Sequence, residues 1–230
     1  MNAPTPGARS VATTPIDLVY PDSDGRPMSD NTLQFKWIVT IKEGLEALFR
    51  DDPDVFVAGD LLWYPVLGEP KVRIGPDALV AFGRPKGYRG SYKQWEEAGI
   101  PPQVAFEVLS PGNTRREMGR KLAFYDRYGV EEYYLYDPDH GPLKGWTRGA
   151  GGALVPVERI DGFRSPRLGV VFHPGPGPDN LQILRPDGRP LESYVDLFSD
   201  REAERARADE ERARAERLAV RLRELGFDDV

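Results

Sequence analysis

The chain contains no cysteine and only two histidines, His140 and His173. Without cysteine there are no disulfides and no thiolate metal sites, and nothing calls for an oxidising compartment. Two histidines far apart, each beside turn residues, do not make a zinc centre, so any metal must be held by oxygen. Neither lies near a serine in an elbow-like context, which argues against a Ser-His-Asp hydrolase. No apolar run approaches the ~20 residues needed to span a bilayer, and the N-terminus lacks a basic-then-apolar secretory pattern. A cytoplasmic location with no membrane association is expected. Positive charge is also short, with 31 Lys+Arg against 37 Asp+Glu and a formal net charge of −6. That argues against a protein that coats nucleic acid non-specifically, although local basic contacts in a cleft remain compatible with it. The Gly175-Pro176-Gly177 stretch lacks the lysine and the strand–helix setting of a phosphate loop.

A hydrophobic content of 40% over 230 residues suits one sizeable core with material left for tails. Residues 1–28, rich in Pro, Thr, Ser, Asp and Gly without periodicity, read as a disordered arm. Ser29 or Asp30 then caps a helix in which Leu33, Trp37, Ile41, Leu45 and Leu48 recur every three or four residues, to about Arg50. Short β-type runs follow at 55–64, 71–74, 77–82 and 103–109. The Gly/Pro-rich connection 83–102 is long enough to be a functional loop. Asn113 or Thr114 caps a second helix that ends at Gly129, and the β-prone run 131–136 comes next. Further short strands occupy 143–185 as far as the Pro186-Asp187-Gly188 turn. Strands, a helix and another strand in this order predict an α/β domain, 29–198, with a mixed sheet covered by helices. From 199 to 230 the aromatics nearly vanish and Ala, Arg and Glu dominate, with pairs such as Glu202/Arg205 and Glu210/Arg214 at helical spacing. Ala215, Leu218, Leu222 and Leu225 give this helical tail a heptad seam only at its end, a weak coiled coil.

Two carboxylates stand out. Glu107 interrupts the apolar run Val104-Ala105-Phe106-Glu107-Val108-Leu109, where an ionised group costs several kcal/mol unless paired, hydrogen-bonded or bound to a metal. Asp77 opens another apolar run, Ala78 to Phe82. Two acids on two core strands with a lysine near by, here Lys121, are what metal-dependent phosphodiester hydrolysis requires. The acids hold a hard divalent cation, and the lysine orients water or stabilises charge on the phosphate. At 100° per residue Met118, Leu122 and Tyr125 share one apolar arc and Lys121 falls on its border, whereas Arg116, Arg120 and Arg127 point away. Blander roles stay open: Asp77 as a strand-entry residue bonding local backbone, and Lys121 as a lysine lying over the rim of the core.

The segments Gly75-Pro76-Asp77, Glu107-Val108-Leu109-Ser110-Pro111, Lys121-Leu122-Ala123-Phe124-Tyr125 and Tyr128 to Pro138 together resemble the Uma2 family, restriction-type endonucleases of the PD-(D/E)XK superfamily. The resemblance runs over roughly residues 29–185. The superfamily pattern places lysine two residues after the glutamate, where this chain has Leu109, so the role passes to Lys121 on the following helix. The resemblance implies a restriction-endonuclease-like mixed sheet flanked by helices, with an exposed C-terminal helix beyond it. It also implies magnesium-dependent (or manganese-dependent) endonucleolytic hydrolysis of DNA. Asp77, Glu107 and the backbone carbonyl of Val108 would be the metal ligands, and Asp77, Glu107 and Lys121 the catalytic residues. Arg84, Lys86, Arg89 and Lys93, interleaved with Tyr88, Tyr92 and Trp95, are candidate DNA contacts; a charged solvent loop is the bland alternative. Asp60 is a further acidic ligand or a bulge or strand-edge residue, Ser110 a turn residue or phosphate contact, and Glu43 and Glu46 are solvent-facing partners of surface cations, with a reach to the metal from the first helix as the alternative. The rivals to a nuclease are a non-catalytic interaction protein and a DNA-binding module. The tail would join the chain to a second copy or to a different protein.

Overall fold

The computed structural model describes residues 18–23, 25, 29–191 and 194–224. Its centre is a six-stranded sheet in the order β1-β3-β5-β6-β7-β8, formed by Val55–Gly59, Ala78–Phe82, Val104–Val108, Glu132–Tyr136, Leu143–Arg148 and Leu154–Pro156. All neighbours are antiparallel except β5 and β6. A parallel pair needs a crossover, which is helix α2, Arg115–Tyr128. A parallel pair β2–β4 (Trp63–Tyr64 and Tyr92–Lys93) and a three-stranded sheet β11-β10-β9 (Leu181–Leu184, Val171–Pro174, Phe163–Arg164) complete the strands.

The two-residue period of the central strands divides their side chains between two cores. On one face Val80, Val104, Phe106, Tyr134 and Tyr136 pack with Trp37, Ile38, Ile41 and Leu45 of helix α1 (Thr32–Leu48) and with Val170 and Phe172 near the small sheet. On the other, Leu79, Ala81, Ala105, Tyr133 and Leu135 meet Met118 and Tyr125 of α2. Glu107 alternates onto this second face. The antiparallel register pairs Ala78 with Phe106, so Asp77, one step before β3, falls opposite Glu107. Helix α1 also depends on a small residue. A Cβ at Gly44 would overlap the buried side chain of Leu191, so glycine lets the chain after the small sheet pack against this helix.

Local chemistry refines several expectations. The cap of α1 is Asn31, whose side chain accepts the Gln34 N–H, because Asp30 is bound to Ser110 instead. The run 55–64 is two strands: Asp60 adopts φ 46° and turns the chain between them. Within 71–74 only Ile74 bridges to a strand, bonding Trp63. Thr114 caps α2, and Gly129 ends it at φ 95°. The expected arm lies largely outside the described residues, but within 18–23, residues 20–22 are bonded to the domain. Pro21 accepts from the Tyr64 hydroxyl at 2.5 Å, Tyr20 accepts from Gly68 N at 2.6 Å, and Asp22 bonds Ser91 at 3.0 Å. The C-terminal helix α3 starts at Tyr194, earlier than the composition change suggests, and runs to Glu224. Leu218 is 54% exposed on it; the side chain of Leu222 and all of Leu225 lie outside the described residues. Among the described residues no helix is long and apolar enough to cross a membrane.

Candidate active site

The carboxyl edge of β5, the chain entering β3 and the N-terminal ends of α1 and α2 enclose a cleft of about 540 Å3. Five carboxylates, from Asp30, Asp60, Asp77, Glu107 and Glu117, and three cations, Lys71, Arg73 and Lys121, line it, together with Gln34 and Asn113.

Glu107 is 2% exposed, and both of its oxygens are held from α2. Lys121 Nζ donates to Oε2 at 2.5 Å, and the buried Tyr125 hydroxyl donates to Oε1. Lys121 thus faces the sheet as its helix phase implied, while Arg116 and Arg120 are exposed. Asp77 Oδ2 accepts the Val108 N–H at 2.6 Å, and its Oδ1 has no hydrogen-bond partner among the described residues. Burial, and then the charge of Glu107, push the Asp77 carboxyl well above the usual carboxylate range, against the pull of Lys121 and the Val108 N–H. Burial likewise raises Glu107, with Lys121 and Tyr125 opposing. Burial works against charge on Lys121, but the carboxylates of Glu107 and Asp77 outweigh it and hold the ammonium above its usual value. Like charges are therefore concentrated at a site lined by oxygen donors, and a bound cation would relieve that repulsion. The donor set fits a hard divalent ion such as magnesium. Among the described residues no three His, Cys, Asp or Glu side chains form a ready-made cage, so the fit rests on the Asp77–Glu107 pair.

The Val108 carbonyl, expected as a third ligand, accepts the Gln34 side-chain amide at 2.9 Å, and Gln34 also accepts the Asp30 N–H at 2.8 Å. Only the second lone pair of that carbonyl is left for another partner. Gln34, 6% exposed, ties the start of α1 to the end of β5, a link that helix periodicity alone does not signal.

The basic loop does not deliver its side chains to the cleft. Arg84 Nε and Arg89 Nε bond the two oxygens of Glu97 at 2.9 and 2.6 Å, and the Arg89 guanidinium lies 3.9 Å from the Phe56 ring centre. Lys86 donates to the Val55 carbonyl, and Lys93 pairs with Glu96. In place of these four, Lys71 and Arg73 line the cleft, and the sequence reading passed over them. Their position, two basic residues immediately before Gly75-Pro76-Asp77, is the signal that could have found them. Asp60 lines the cleft close enough to raise Asp77 electrostatically. Ser110 serves the turn, donating its hydroxyl to Asp30 at 2.5 Å and its N–H to Asn113 Oδ1 at 2.9 Å. Glu43 and Glu46 pair with Lys42 and are not among the cleft residues. His140 and His173 pair with Asp137 and Asp161, also outside the cleft.

A mixed sheet between helices, with two acids on adjacent strands and a lysine from the crossover helix, defines a restriction-endonuclease-like α/β protein. The chain belongs to the Uma2 family, described as "Putative restriction endonuclease", whose model matches residues 30–175. Among solved structures it is similar to a "putative nuclease belonging to DUF820" from Anabaena variabilis ATCC 29413. The identity is 13% and the TM-score 0.44, covering 59% of this chain and 72% of that one. No curated protein shows a significant match.

Proposed function

We propose that the protein is a metal-dependent endonuclease that hydrolyses DNA phosphodiester bonds, with magnesium as the ion and manganese able to replace it. The observation that carries this reading is the convergence of Asp77 and Glu107, from adjacent strands on one sheet face, with Lys121 bonded to Glu107 at 2.5 Å. Asp77 and Glu107 would hold the cation, and the second lone pair of the Val108 carbonyl could add a third protein donor. The ion, when bound, supplies Lewis-acid polarisation of the phosphate and lowers the pKa of water. Tyr125 fixes the Glu107 carboxylate from behind, and the Val108 N–H fixes that of Asp77, so both acids are oriented before a ligand arrives. The Lys121 ammonium has three donors and gives one to Glu107, leaving others for an attacking water or a phosphate oxygen. A supercoiled plasmid incubated with magnesium, with manganese and with chelator tests this. Nicked or linear product should form with either ion and not with chelator. Uncut plasmid under all three conditions would count against the reading.

The exposed face of α3 supports a role for this helix in assembly, through Ala215 and Leu218, with a second copy or a different protein.

A further inference from the structure

The Glu69–Ile74 segment approaches the cleft as a pinned arm. Val72 N bonds the Glu69 carbonyl at 2.9 Å, and Ile74 exchanges two backbone bonds with Trp63 at 2.7 and 3.1 Å. Lys71, from the turn closed by that Val72 bond, and Arg73, just before the Ile74 bridge, both line the cleft. Neither makes an ion pair among the described residues, although the cleft holds five carboxylates. The Arg73 guanidinium is held by a neutral group, donating to the Tyr64 hydroxyl at 3.3 Å. That hydroxyl donates onward to the Pro21 carbonyl, which fixes the arginine without neutralising it. Lys121, the third cation of the cleft, is already paired with Glu107. Of the other carboxylates lining the cleft, Asp30 accepts from the Ser110 hydroxyl, Glu117 accepts from the Asn113 amide, and Asp60 lies near Gly75 at the end of the arm. The arm therefore brings to the cleft two cations that make no ion pair among the described residues.

We infer that Lys71 and Arg73 form the phosphate-binding wall of this cleft, taking the backbone of a nucleic-acid strand beside the Asp77–Glu107 pair. This rests on the nuclease reading and goes further, assigning the strand's electrostatic contact to the 69–74 arm in place of the 84–93 loop. A polyanion entering a cleft otherwise lined by carboxylates is drawn to these two cations, so its path runs along the arm. Phosphate contacts fix position without reading bases, so the arm sets affinity and salt dependence and leaves sequence preference unchanged.

The test is binding of a fluorescein-labelled duplex oligonucleotide to the full-length protein with calcium, titrated across salt concentrations. Each phosphate neutralised contributes about −0.9 to the slope of log K against log salt. Lys71→Ala and Arg73→Ala should each weaken binding and flatten that slope by about one, and the double variant by about two. Arg73→Lys should retain the slope, and Arg159→Ala, at an exposed charge outside the cleft, should leave it unchanged. Thermal melts of every variant separate loss of a contact from loss of fold, and Lys71→Glu supplies a charge reversal at the exposed position. An unaltered slope in folded Lys71→Ala and Lys71→Glu, with normal binding by the wild type, would overturn the arm assignment and leave the nuclease reading standing. A wild type that binds no duplex even at low salt would overturn both.

Discussion

Replacing Lys121 with methionine keeps most of the apolar stem and removes the charge that compensates Glu107. Glu107 is 2% exposed and would retain only the Tyr125 hydroxyl. Removing one partner of a buried ion pair costs ~3–5 kcal/mol. The Lys121 side chain is 20% exposed, and water entering at that edge puts the expected loss near ~3 kcal/mol, the lower end of that range. For a domain of this size that is a fall in Tm of about 6–12 °C. The loss must also depend on pH, with a definite sign. Burial already holds the Glu107 carboxyl above its ordinary value, and removing Lys121 raises it further. A carboxyl whose folded value exceeds its unfolded value of about 4.3 keeps a proton on folding that the unfolded chain releases. Stability therefore falls as pH rises from the unfolded value towards the folded one. The Tm deficit should be small near pH ~4.5 and larger near pH ~8. Adding Glu107→Gln removes the orphaned charge, so the double variant should recover most of the loss, a coupling of about 2 kcal/mol. Thermal melts in chelator at both pH values, with the exposed Arg116→Met as reference, measure this. The reasoning is refuted if Lys121→Met melts with Arg116→Met at both pH values, or if the double variant is no more stable than the single.

Three further outcomes are expected. Asp77→Asn and Glu107→Gln should both abolish cleavage and the magnesium-induced rise in Tm; the metal-free Asp77→Asn protein should be as stable as wild type or slightly more so, because it removes one of two mutually repelling charges, whereas Glu107→Gln should be less stable, because it leaves the Lys121 ammonium without its carboxylate; retention of the wild-type shift by both variants would show that the ligands lie elsewhere. Glu97 is held below its usual value, first by its hydrogen bond to Arg89 despite burial and then by Arg84, so its contribution is present above the unfolded value and is lost as pH falls through the lower folded one. Glu97→Gln should therefore speed hydrogen exchange across 84–97 at neutral pH, with the difference from wild type narrowing in acid; unchanged protection at neutral pH would show that the loop is held by other contacts. Deleting 199–230 should leave the sheet domain folded and reduce self-association in sedimentation, because residues 204–212 and 214–218 of the helix are exposed; identical monomers with and without the tail would exclude self-pairing, and unfolding on truncation would make the tail part of the core.

Much of the site was legible because β-structure has period two. Ala105, Glu107 and Leu109 had to share a face, and the Pro76-Asp77 entry to a second apolar strand put its acid within one residue of the same row. Helix phase likewise put Lys121 beside the sheet. What was not legible depended on partners distant in sequence or on backbone conformations that local propensity does not determine. Arg84 and Arg89 read as free basic residues because their common partner, Glu97, lies thirteen and eight positions on, and nothing periodic announces a loop closing on itself. The break at Asp60 requires a left-handed aspartate, which strand propensity does not foresee. The 71–74 run has strand-like composition but bridges only through Ile74, and that leaves Lys71 and Arg73 to the cleft. Gln34 looked like one more polar residue of an amphipathic helix, although its amide reaches Val108, seventy-four positions away.

The account's central claim is that Asp77 and Glu107 form a cation site. The most direct measurement is a crystal structure of the full-length protein soaked with manganese, with the ion located by its anomalous scattering. The account predicts one strong peak within coordination distance of Asp77 Oδ1 and a Glu107 carboxylate oxygen. A peak elsewhere in the cleft with these two carboxylates unliganded, or no peak at a manganese concentration that supports plasmid cleavage, would contradict it.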